Sequence, residues 1–265
     1  MKNKFQFFDL EGKTLLITGI TRGIGKALLP ELLGQGLKLV LVSRGKDRIQ
    51  AICNEIGADE TKVTIFDCDL GDPAAVEATG NQILESGIPI DAVLHNAAID
   101  PRKGFGIADL AFWQNVFQVN VFSAVTLTRQ LLPVLRKSKH GRIIFTGSVV
   151  YELGVGALTT YAASKGAISG ITRSLAHELK GTSITVNCVV PGAITVEKEN
   201  LSDADTQRVI EWQTVGRRLV PLDLLGPICL LLSDASSAMT AQSIVVDGGI
   251  MHPIADAGVQ EQLIN

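Results

Sequence analysis

The sequence predicts a doubly wound α/β fold, a parallel sheet of about seven strands with helices on both faces. Segments with the pattern of strands alternate with segments with the pattern of helices along the whole length of the 265 residues. The strand segments are continuously apolar, which is typical of parallel strands covered on both faces. No linker, repeat or low-complexity stretch interrupts the alternation, so residues 1–265 are expected to form one domain.

Short apolar runs predict the strands, and amphipathic stretches between them predict the helices. The candidate strands are Thr14–Ile17, Leu39–Val42, Val63–Phe66, Ala92–Leu94, Ile143–Phe145, Ile184–Val186 and Ser243–Val246. The candidate helices are Ile24–Gln35, Asp47–Ile56, Pro73–Ser86, Asp109–Leu135 and Tyr161–Lys180. The connections between parallel strands are expected to be right-handed crossovers.

Three features depart from this regular pattern. Pro30 falls inside the first helix, where it removes a hydrogen bond and is expected to bend the helix. Residues 192–220 are polar at first and then carry Trp212 and Arg217-Arg218, so they are interpreted as a mobile helical flap over the substrate site. The tail, residues 250–265, is expected to pack on a neighbouring subunit.

Composition and charge exclude several function classes. The 24 Lys and Arg residues against 27 Asp and Glu residues give a net charge of −3, whereas a nucleic-acid binder usually shows a concentrated basic excess. No apolar stretch is long enough to span a membrane, and Asp9 and Glu11 interrupt the N-terminal segment, unlike a secretory or transit peptide. The four cysteines are widely separated, which favours a reduced, cytoplasmic protein without a disulfide framework or metal site.

A glycine-rich turn follows the first candidate strand and opens the first helix. It contains Gly19, Thr21, Arg22, Gly23, Ile24 and Gly25. Glycines allow the backbone to turn tightly and to approach a ligand closely, and a helix N-terminus offers free N–H groups with a partial positive charge. In this strand-turn-helix context the motif predicts a cradle for a dinucleotide pyrophosphate.

The residues after the second strand indicate which dinucleotide fits. An NAD site usually has an acidic residue there to hold the ribose hydroxyls. This chain has Ser43-Arg44 instead, with no acid before Asp47, and Arg22 offers a second positive charge. Because a guanidinium can pair with a 2′-phosphate that a carboxylate would repel, NADP(H) is favoured over NAD(H).

A tyrosine and a lysine stand on one face of a predicted helix. Tyr161 and Lys165 are four residues apart, and a nearby ammonium favours the phenolate form of a tyrosine. Ser148 lies just past the preceding strand, at the edge of the sheet where a parallel α/β fold binds its ligands.

Together these motifs make the sequence resemble the short-chain dehydrogenase/reductase family, whose fold is a Rossmann fold, over nearly the whole chain. The glycine turn resembles the family's cofactor motif, and Asn120, Ser148, Tyr161 and Lys165 match its catalytic tetrad. Further matches are Asp69-Leu70 on the adenine side, Asn96-Ala97-Ala98, Pro191-Gly192 followed by Ile194 near the nicotinamide, and Val246–Gly249. Ala98 and Ala241 stand where the family usually has glycine, but neither change removes a reacting group.

The resemblance implies a reaction and a role for each residue of the tetrad. Tyr161 is expected to exchange a proton with the substrate oxygen, and Ser148 to hydrogen-bond that oxygen. Lys165 is expected to lower the pKa of Tyr161 and to hold the nicotinamide ribose, while Asn120 holds a water molecule. The implied enzyme transfers a hydride between NADP(H) and a ketone or secondary alcohol, needs no metal, and assembles as a homotetramer or dimer through the Asp109–Leu135 and Tyr161–Lys180 helices.

The substrate is expected to be a compact ketone or alcohol with an apolar part. The residues predicted to line its pocket are Val150, Tyr151, Leu153, Val155 and Trp212. Two alternatives remain open, an NAD-dependent alcohol or polyol dehydrogenase of the same family and a non-catalytic dinucleotide-binding protein. Retention of all four tetrad residues argues against the second alternative.

Overall fold

The sheet is the framework that positions the functional groups. The computed structural model describes residues 8–196 and 202–251. In these ranges seven parallel strands lie in the order β3-β2-β1-β4-β5-β6-β7. They are β1 (Thr14–Thr18), β2 (Lys38–Ser43), β3 (Val63–Asp67), β4 (Ala92–His95), β5 (Arg142–Thr146), β6 (Thr185–Pro191) and β7 (Ser243–Val246). The predicted doubly wound fold is confirmed.

Helices cover both faces of the sheet. They are α1 (Gly23–Gly34), α2 (Lys46–Glu55), α3 (Pro73–Glu85), α4 (Leu110–Phe117), α5 (Ser123–Leu135), α6 (Val150–Leu153), α7 (Thr159–Glu178), α8 (Asp203–Trp212) and α9 (Leu225–Leu232). Short 3-10 turns lie at Phe8–Leu10, Glu60–Lys62, Phe105–Ile107, Pro221–Leu224 and Asp234–Ser236. None of the helices in the described ranges is both long and apolar enough to cross a membrane.

Alternate residues of each strand enter two separate cores. Leu15 and Ile17 of β1 pack toward α1, α2 and α9, whereas Leu16 packs toward α3, α5 and α7. All three leucine and isoleucine side chains are fully buried. Burial on both faces explains why the strands are continuously apolar in sequence.

The predicted helix Asp109–Leu135 is not one regular α-helix. Asp109 caps α4 by accepting a hydrogen bond from the N–H of Phe112 at 2.8 Å, and a π-helical turn, Gln118–Phe122, separates α4 from α5. The side chain of Asn120, inside this turn, makes two hydrogen bonds to Ile99, 21 residues away. A π turn adds one residue to the helical repeat, frequently at a functional site, without breaking the amphipathic pattern.

The predicted flap is anchored at its base. The N–H of Thr195 donates to the carbonyl of Leu219 at 2.8 Å, and the buried side chains of Ile194 and Leu219 belong to the core. The flap therefore joins the core at its two ends instead of lying wholly outside it. Residues 197–201 of the flap and 252–265 of the tail lie outside the described residues. Pro30 stays inside α1, on its exposed side.

Candidate active site

The strand order reverses between β1 and β4, and a large cavity opens at the carboxyl ends of these strands. Ligands of doubly wound sheets bind in the crevice at this switch point. The cavity has a volume of about 990 Å³. Thirteen of the residues predicted to bind the cofactor line it, namely Gly19, Thr21, Arg22, Gly23, Ile24, Ser43, Arg44, Asp69, Leu70, Asn96, Ala97, Ala98 and Tyr161.

Close backbone packing explains two glycines of the turn. A Cβ on Gly19 would meet the Cα of Ala97 at 2.6 Å, and the φ of Gly19, +72°, disfavours other residues. A Cβ on Gly25 would collide with the carbonyl oxygen of Gly19 and meet the Nδ2 of Asn96 at 2.7 Å. The turn is therefore pressed against the segment that follows β4.

Asn96 connects the glycine turn to β4. Its Nδ2 donates to the carbonyl oxygens of Thr18 at 3.2 Å and Gly19 at 3.0 Å. The Oγ1 of Thr18 accepts the N–H groups of both Asn96 and Ala97 at 3.1 Å. No side chain caps the N-terminus of α1, so its first N–H groups face the cavity without a side-chain acceptor. Such an end is suited to an anion.

Three arginines surround the β2 end of the cavity. Arg22 and Arg44 were predicted from the sequence, and Arg48 joins them from the first turn of α2. Arg48 donates to the carbonyl of Thr21 at 3.0 Å. Arg44 lies 3.5 Å from Asp69, with 72% of its side chain exposed. An exposed ion pair of this kind is weak, so Arg44 can exchange its partner for a bound anion.

Acidic residues also lie near this end, but two of them are engaged elsewhere. Asp67 accepts the N–H groups of Gly45 at 2.8 Å and Lys46 at 3.3 Å, at the start of α2. Asp72 caps α3, accepting the N–H of Ala74 at 2.9 Å, as its place before Pro73 predicts. In the described ranges no group of three or more His, Cys, Asp or Glu residues could hold a metal ion.

Ser148, Tyr161 and Lys165 lie together near the carboxyl end of β5, and of these three Tyr161 lines the cavity. The Ser148 hydroxyl hydrogen-bonds the phenol of Tyr161. The Nζ of Lys165 donates to the carbonyl of Thr146 at 2.7 Å and lies 5.6 Å from the centroid of the Tyr161 ring. The helical spacing from Tyr161 to Lys165 thus places both side chains beside the carboxyl end of β5.

Asn120 is a structural neighbour of this cluster. Its Oδ1 accepts the N–H of Ile99 at 2.8 Å, and its Nδ2 donates to the carbonyl of Ile99 at 2.9 Å and to the Oγ of Ser164 at 3.0 Å. Ser164 in turn donates to the carbonyl of Tyr161 at 2.7 Å. The Asn120 amide therefore connects the π turn, the segment after β4 and α7.

Burial dominates the ionisation of the two reactive groups. It raises the pKa of Tyr161 to about 12, with the charge of Asp100 acting in the same direction and the hydrogen bond from Ser148 opposing it. Burial also lowers the pKa of Lys165 to about 8. The expectation that Lys165 lowers the pKa of Tyr161 stays a prediction: in this structure the Lys165 ammonium is bonded to Thr146, and desolvation is the largest effect on the pKa of the phenol.

Comparison with known proteins identifies the family. A sequence profile described as short chain dehydrogenase matches residues 13–207. The chain belongs to the short-chain dehydrogenase family. It is therefore an oxidoreductase of the class that acts on CH–OH and C=O groups.

Named relatives cover nearly the whole chain. The chain is 30% identical to a 3-oxoacyl-[acyl-carrier-protein] reductase of Escherichia coli over 91% of this chain and 98% of that protein. It is 32% identical to a 2-dehydro-3-deoxy-D-gluconate 5-dehydrogenase of Pseudoalteromonas atlantica over 92% and 98%. A solved structure from Beutenbergia cavernae, named as a candidate NAD(P)-dependent gluconate 5-dehydrogenase with NADP bound at low occupancy, superimposes with a TM-score of 0.86 at 28% identity, covering 93% of this chain and 99% of that one.

Other predicted site residues of this short-chain dehydrogenase lie outside the cavity wall. Gly25, Asn120, Ser148 and Lys165 are buried and are not among the described residues that line it. Pro191, Gly192 and Ile194 continue from the end of β6, where the N–H of Gly192 donates to the carbonyl of Val246 at 2.9 Å. They pack against the end of β7, since a Cβ on Gly192 would meet the Cα of Asp247 at 2.6 Å.

None of the five residues predicted for the substrate pocket of the dehydrogenase is among the described residues that line the cavity. Tyr151 packs against the core, and its hydroxyl hydrogen-bonds the side chain of Ser169. Leu153, Val155 and Trp212 are 46%, 37% and 58% exposed. Val150 begins the short helix α6 and is only partly buried. An apolar substrate pocket built from these residues remains a prediction.

Several residues that line the cavity were not predicted from the sequence. They are Arg48, Cys68, Gly71, Asp72, Ile99, Asp100, Arg102, Asn115, Val119 and Val196. Arg48 lies in the first turn of α2, four residues after Arg44, and this short distance in sequence is a signal that could have indicated it. The segment from Ile99 to Arg102 follows Asn96–Ala98 directly, which is a signal that it continues along the cavity.

Proposed function

We propose that this dehydrogenase transfers a hydride between NADP(H) and a ketone or secondary alcohol, with Tyr161 as the general acid and base. The observation that carries the proposal is one cavity that is lined both by three arginines, Arg22, Arg44 and Arg48, and by Tyr161, whose neighbours are Ser148 and Lys165. This arrangement suits the two ends of a phosphorylated dinucleotide.

The described residues fit the chemistry of NADP(H). The uncapped α1 terminus and the close-packed glycines suit the pyrophosphate, and Arg22, Arg44 and Arg48 suit the 2′-phosphate. We assign the remaining contacts to Ser43, Asp69-Leu70, Asn96–Ala98, Tyr161, Lys165 and the turn Pro191–Ile194. When bound, the nicotinamide of NADP(H) supplies the hydride.

Tyr161 and Ser148 handle the substrate oxygen in this proposal. With a pKa of about 12, Tyr161 carries its proton across the neutral range and donates it to the carbonyl oxygen during reduction. Ser148, already bonded to the phenol, directs a second hydrogen bond to the same oxygen. In alcohol oxidation the proton moves in the opposite direction, onto the Tyr161 phenolate.

Lys165 and Asn120 position groups around Tyr161 in this proposal. Lys165 holds its ammonium 5.6 Å from the centroid of the ring and binds the nicotinamide ribose. Asn120 fixes Ile99 and Ser164, and through Ser164 the start of α7. We also assign to Asn120 the water molecule that connects Lys165 with solvent.

The test compares NADPH and NADH by nicotinamide fluorescence in wild type, Arg44→Ala and Arg48→Ala, with Arg136→Ala as a matched control. Arg136 is an exposed arginine at the end of α5, outside the cavity. A charge-assisted contact corresponds to an NADPH preference of about 10- to 100-fold, which the cavity variants lose and the control keeps. Equal or tighter NADH binding favours the NAD-dependent alternative, and no binding of either favours a non-catalytic protein.

We further propose a cytoplasmic homo-oligomer, a dimer or tetramer, formed through α4, α5 and α7. All four cysteines are buried free thiols, which suits a reducing compartment. Leu110 of α4, Phe122 of the π turn and Val125 of α5 expose 70%, 49% and 41% of their surfaces. Sedimentation of wild type and Phe122→Asp tests the assembly, and a monomeric wild type contradicts it.

A further inference from the structure

The segment from Ile99 to Lys103 is fixed at both ends beside Tyr161. Both backbone groups of Ile99 are bonded to the Asn120 amide. At the other end the N–H of Lys103 donates to the carbonyl of Ala157 at 2.9 Å, four residues before Tyr161. Ala157 holds a φ of +60°, a strained value for a residue with a Cβ. The residues between these anchors, 100–102, therefore lie at the Tyr161 end of the cavity.

The charged side chains of this segment differ in the groups that they contact. Lys103 is engaged with Asp109 at 4.0 Å and with the ring of Phe112, 4.9 Å from its centroid. Asp100 and Arg102 line the cavity together with Tyr161. Asp100 lies close enough to raise the pKa of both Tyr161 and Lys165. The Arg102 guanidinium makes no hydrogen bond or ion pair with any residue of the described ranges.

The phosphates of the proposed cofactor have their own partners at the other end. Arg22 belongs to the glycine turn, Arg44 follows β2, and Arg48 of α2 donates to the carbonyl of Thr21 in that turn. Arg102 comes from the segment after β4. It lies between Ile99, which is bonded to Asn120, and Lys103, which is bonded to Ala157. It is therefore available to the substrate and not required for the dinucleotide.

We propose that Arg102 binds an anionic group of the substrate, so that the substrate is a ketone or secondary alcohol bearing a carboxylate or phosphate. This inference rests on the proposed function and names its substrate class. A guanidinium offers paired N–H donors that match the oxygens of either anion. An anionic group adds to the apolar substrate expected from the sequence, and none of the five residues predicted for an apolar pocket is among the described residues that line the cavity.

The test uses matched pairs of oxo compounds with and without the anion. They are acetoacetate and ethyl acetoacetate, levulinate and ethyl levulinate, and dihydroxyacetone phosphate and dihydroxyacetone. The value of kcat/KM is measured for each with NADPH and with NADH, in wild type, Arg102→Gln, Arg102→Lys and the control Arg136→Gln. Saturation-transfer NMR of the same compounds, with dinucleotide bound, measures binding independently of turnover.

In wild type we expect kcat/KM for an anionic compound to exceed that for its neutral partner by at least about 10-fold. Arg102→Gln should reduce kcat/KM for the anionic compound, relative to its neutral partner, by about 10- to 100-fold. Arg102→Lys restores part of this preference, and dinucleotide affinity stays unchanged. The preferred pair distinguishes carboxylate from phosphate. The inference is overturned if the Gln variant affects charged and neutral partners equally, if it alters dinucleotide affinity alone, or if no anionic compound binds better than its partner. Failure of wild type to bind either dinucleotide contradicts the proposed function itself.

Discussion

The Nζ of Lys165 lies over the ring of Tyr161, 5.6 Å from its centroid, while it donates a hydrogen bond to the carbonyl of Thr146 at 2.7 Å. In this position the lysine does not offset the burial of the phenol, whose pKa is about 12. The Tyr161 phenol is therefore expected to keep its proton throughout the neutral range, as the proposed role of proton donor in carbonyl reduction requires.

Replacing the Tyr161 hydroxyl tests its role as proton donor. We expect Tyr161→Phe to lower kcat for reduction by about 10²- to 10⁴-fold, because general acid catalysis is lost while the ring and the fold remain. Dinucleotide affinity, measured by fluorescence, should change little. Tyr151→Phe is the matched control, since it removes the hydroxyl of the other tyrosine, which is bonded to Ser169. An equal loss in both variants would assign the effect to packing.

The charge of Asp100 should affect how kcat/KM for alcohol oxidation depends on pH. In the proposed mechanism oxidation requires the Tyr161 phenolate, so kcat/KM for an alcohol should rise with pH up to the pKa of Tyr161, about 12. Asp100 raises the pKa of Tyr161, so Asp100→Asn should move this rise to lower pH. The profile of Glu85→Gln, which removes an exposed carboxylate at the end of α3, should match wild type. A shift to higher pH in Asp100→Asn would contradict the assignment.

The strands and the reactive cluster could be predicted from sequence because their signals are local. Leu15, Leu16 and Ile17 are consecutive and all fully buried, so the run itself reports a strand between two helical layers. Tyr161 and Lys165 stand one helical turn apart, and that spacing alone brings them together.

Features that depend on distant contacts could not be predicted. The π turn around Asn120 is accompanied by hydrogen bonds to Ile99, which no local pattern reveals. Tyr151 was placed in the substrate pocket, but packing of α6 against α7 directs its hydroxyl to Ser169. Arg102 belongs to an irregular segment, whose course is set by the anchor at Ala157.

The close packing of the glycine turn leads to a prediction about binding. In Gly25→Ala the new methyl group would collide with the carbonyl of Gly19 and crowd the Asn96 amide, so the turn must move. We expect dinucleotide affinity to fall by at least about 10-fold, measured by fluorescence titration, because the cradle positions the first N–H groups of α1. Gly170→Ala in α7, where a Cβ meets open space, is the control and should keep wild-type affinity. Equal affinities would show that the turn tolerates a side chain.

His95 should make the fold sensitive to acid. Its imidazole is buried, stacks on Phe145 at 5.1 Å, and bonds Thr128 at 2.8 Å, and burial lowers its pKa to about 3. As pH falls below 6.5 the unfolded chain gains a proton at this imidazole while the folded chain does not, so stability decreases until the pH reaches about 3. The expected loss in the free energy of unfolding between pH 7.5 and 5 is about 2 kcal/mol.

Urea unfolding at several pH values separates this effect from the other titrating groups. His95→Gln keeps a hydrogen-bonding group for Thr128 but has no proton to gain, so its free energy of unfolding should depend less on pH than that of wild type. His177→Gln removes an exposed imidazole near the end of α7 and should retain the wild-type dependence. If His95→Gln loses as much stability as wild type between pH 7.5 and 5, another buried group is responsible for the acid sensitivity.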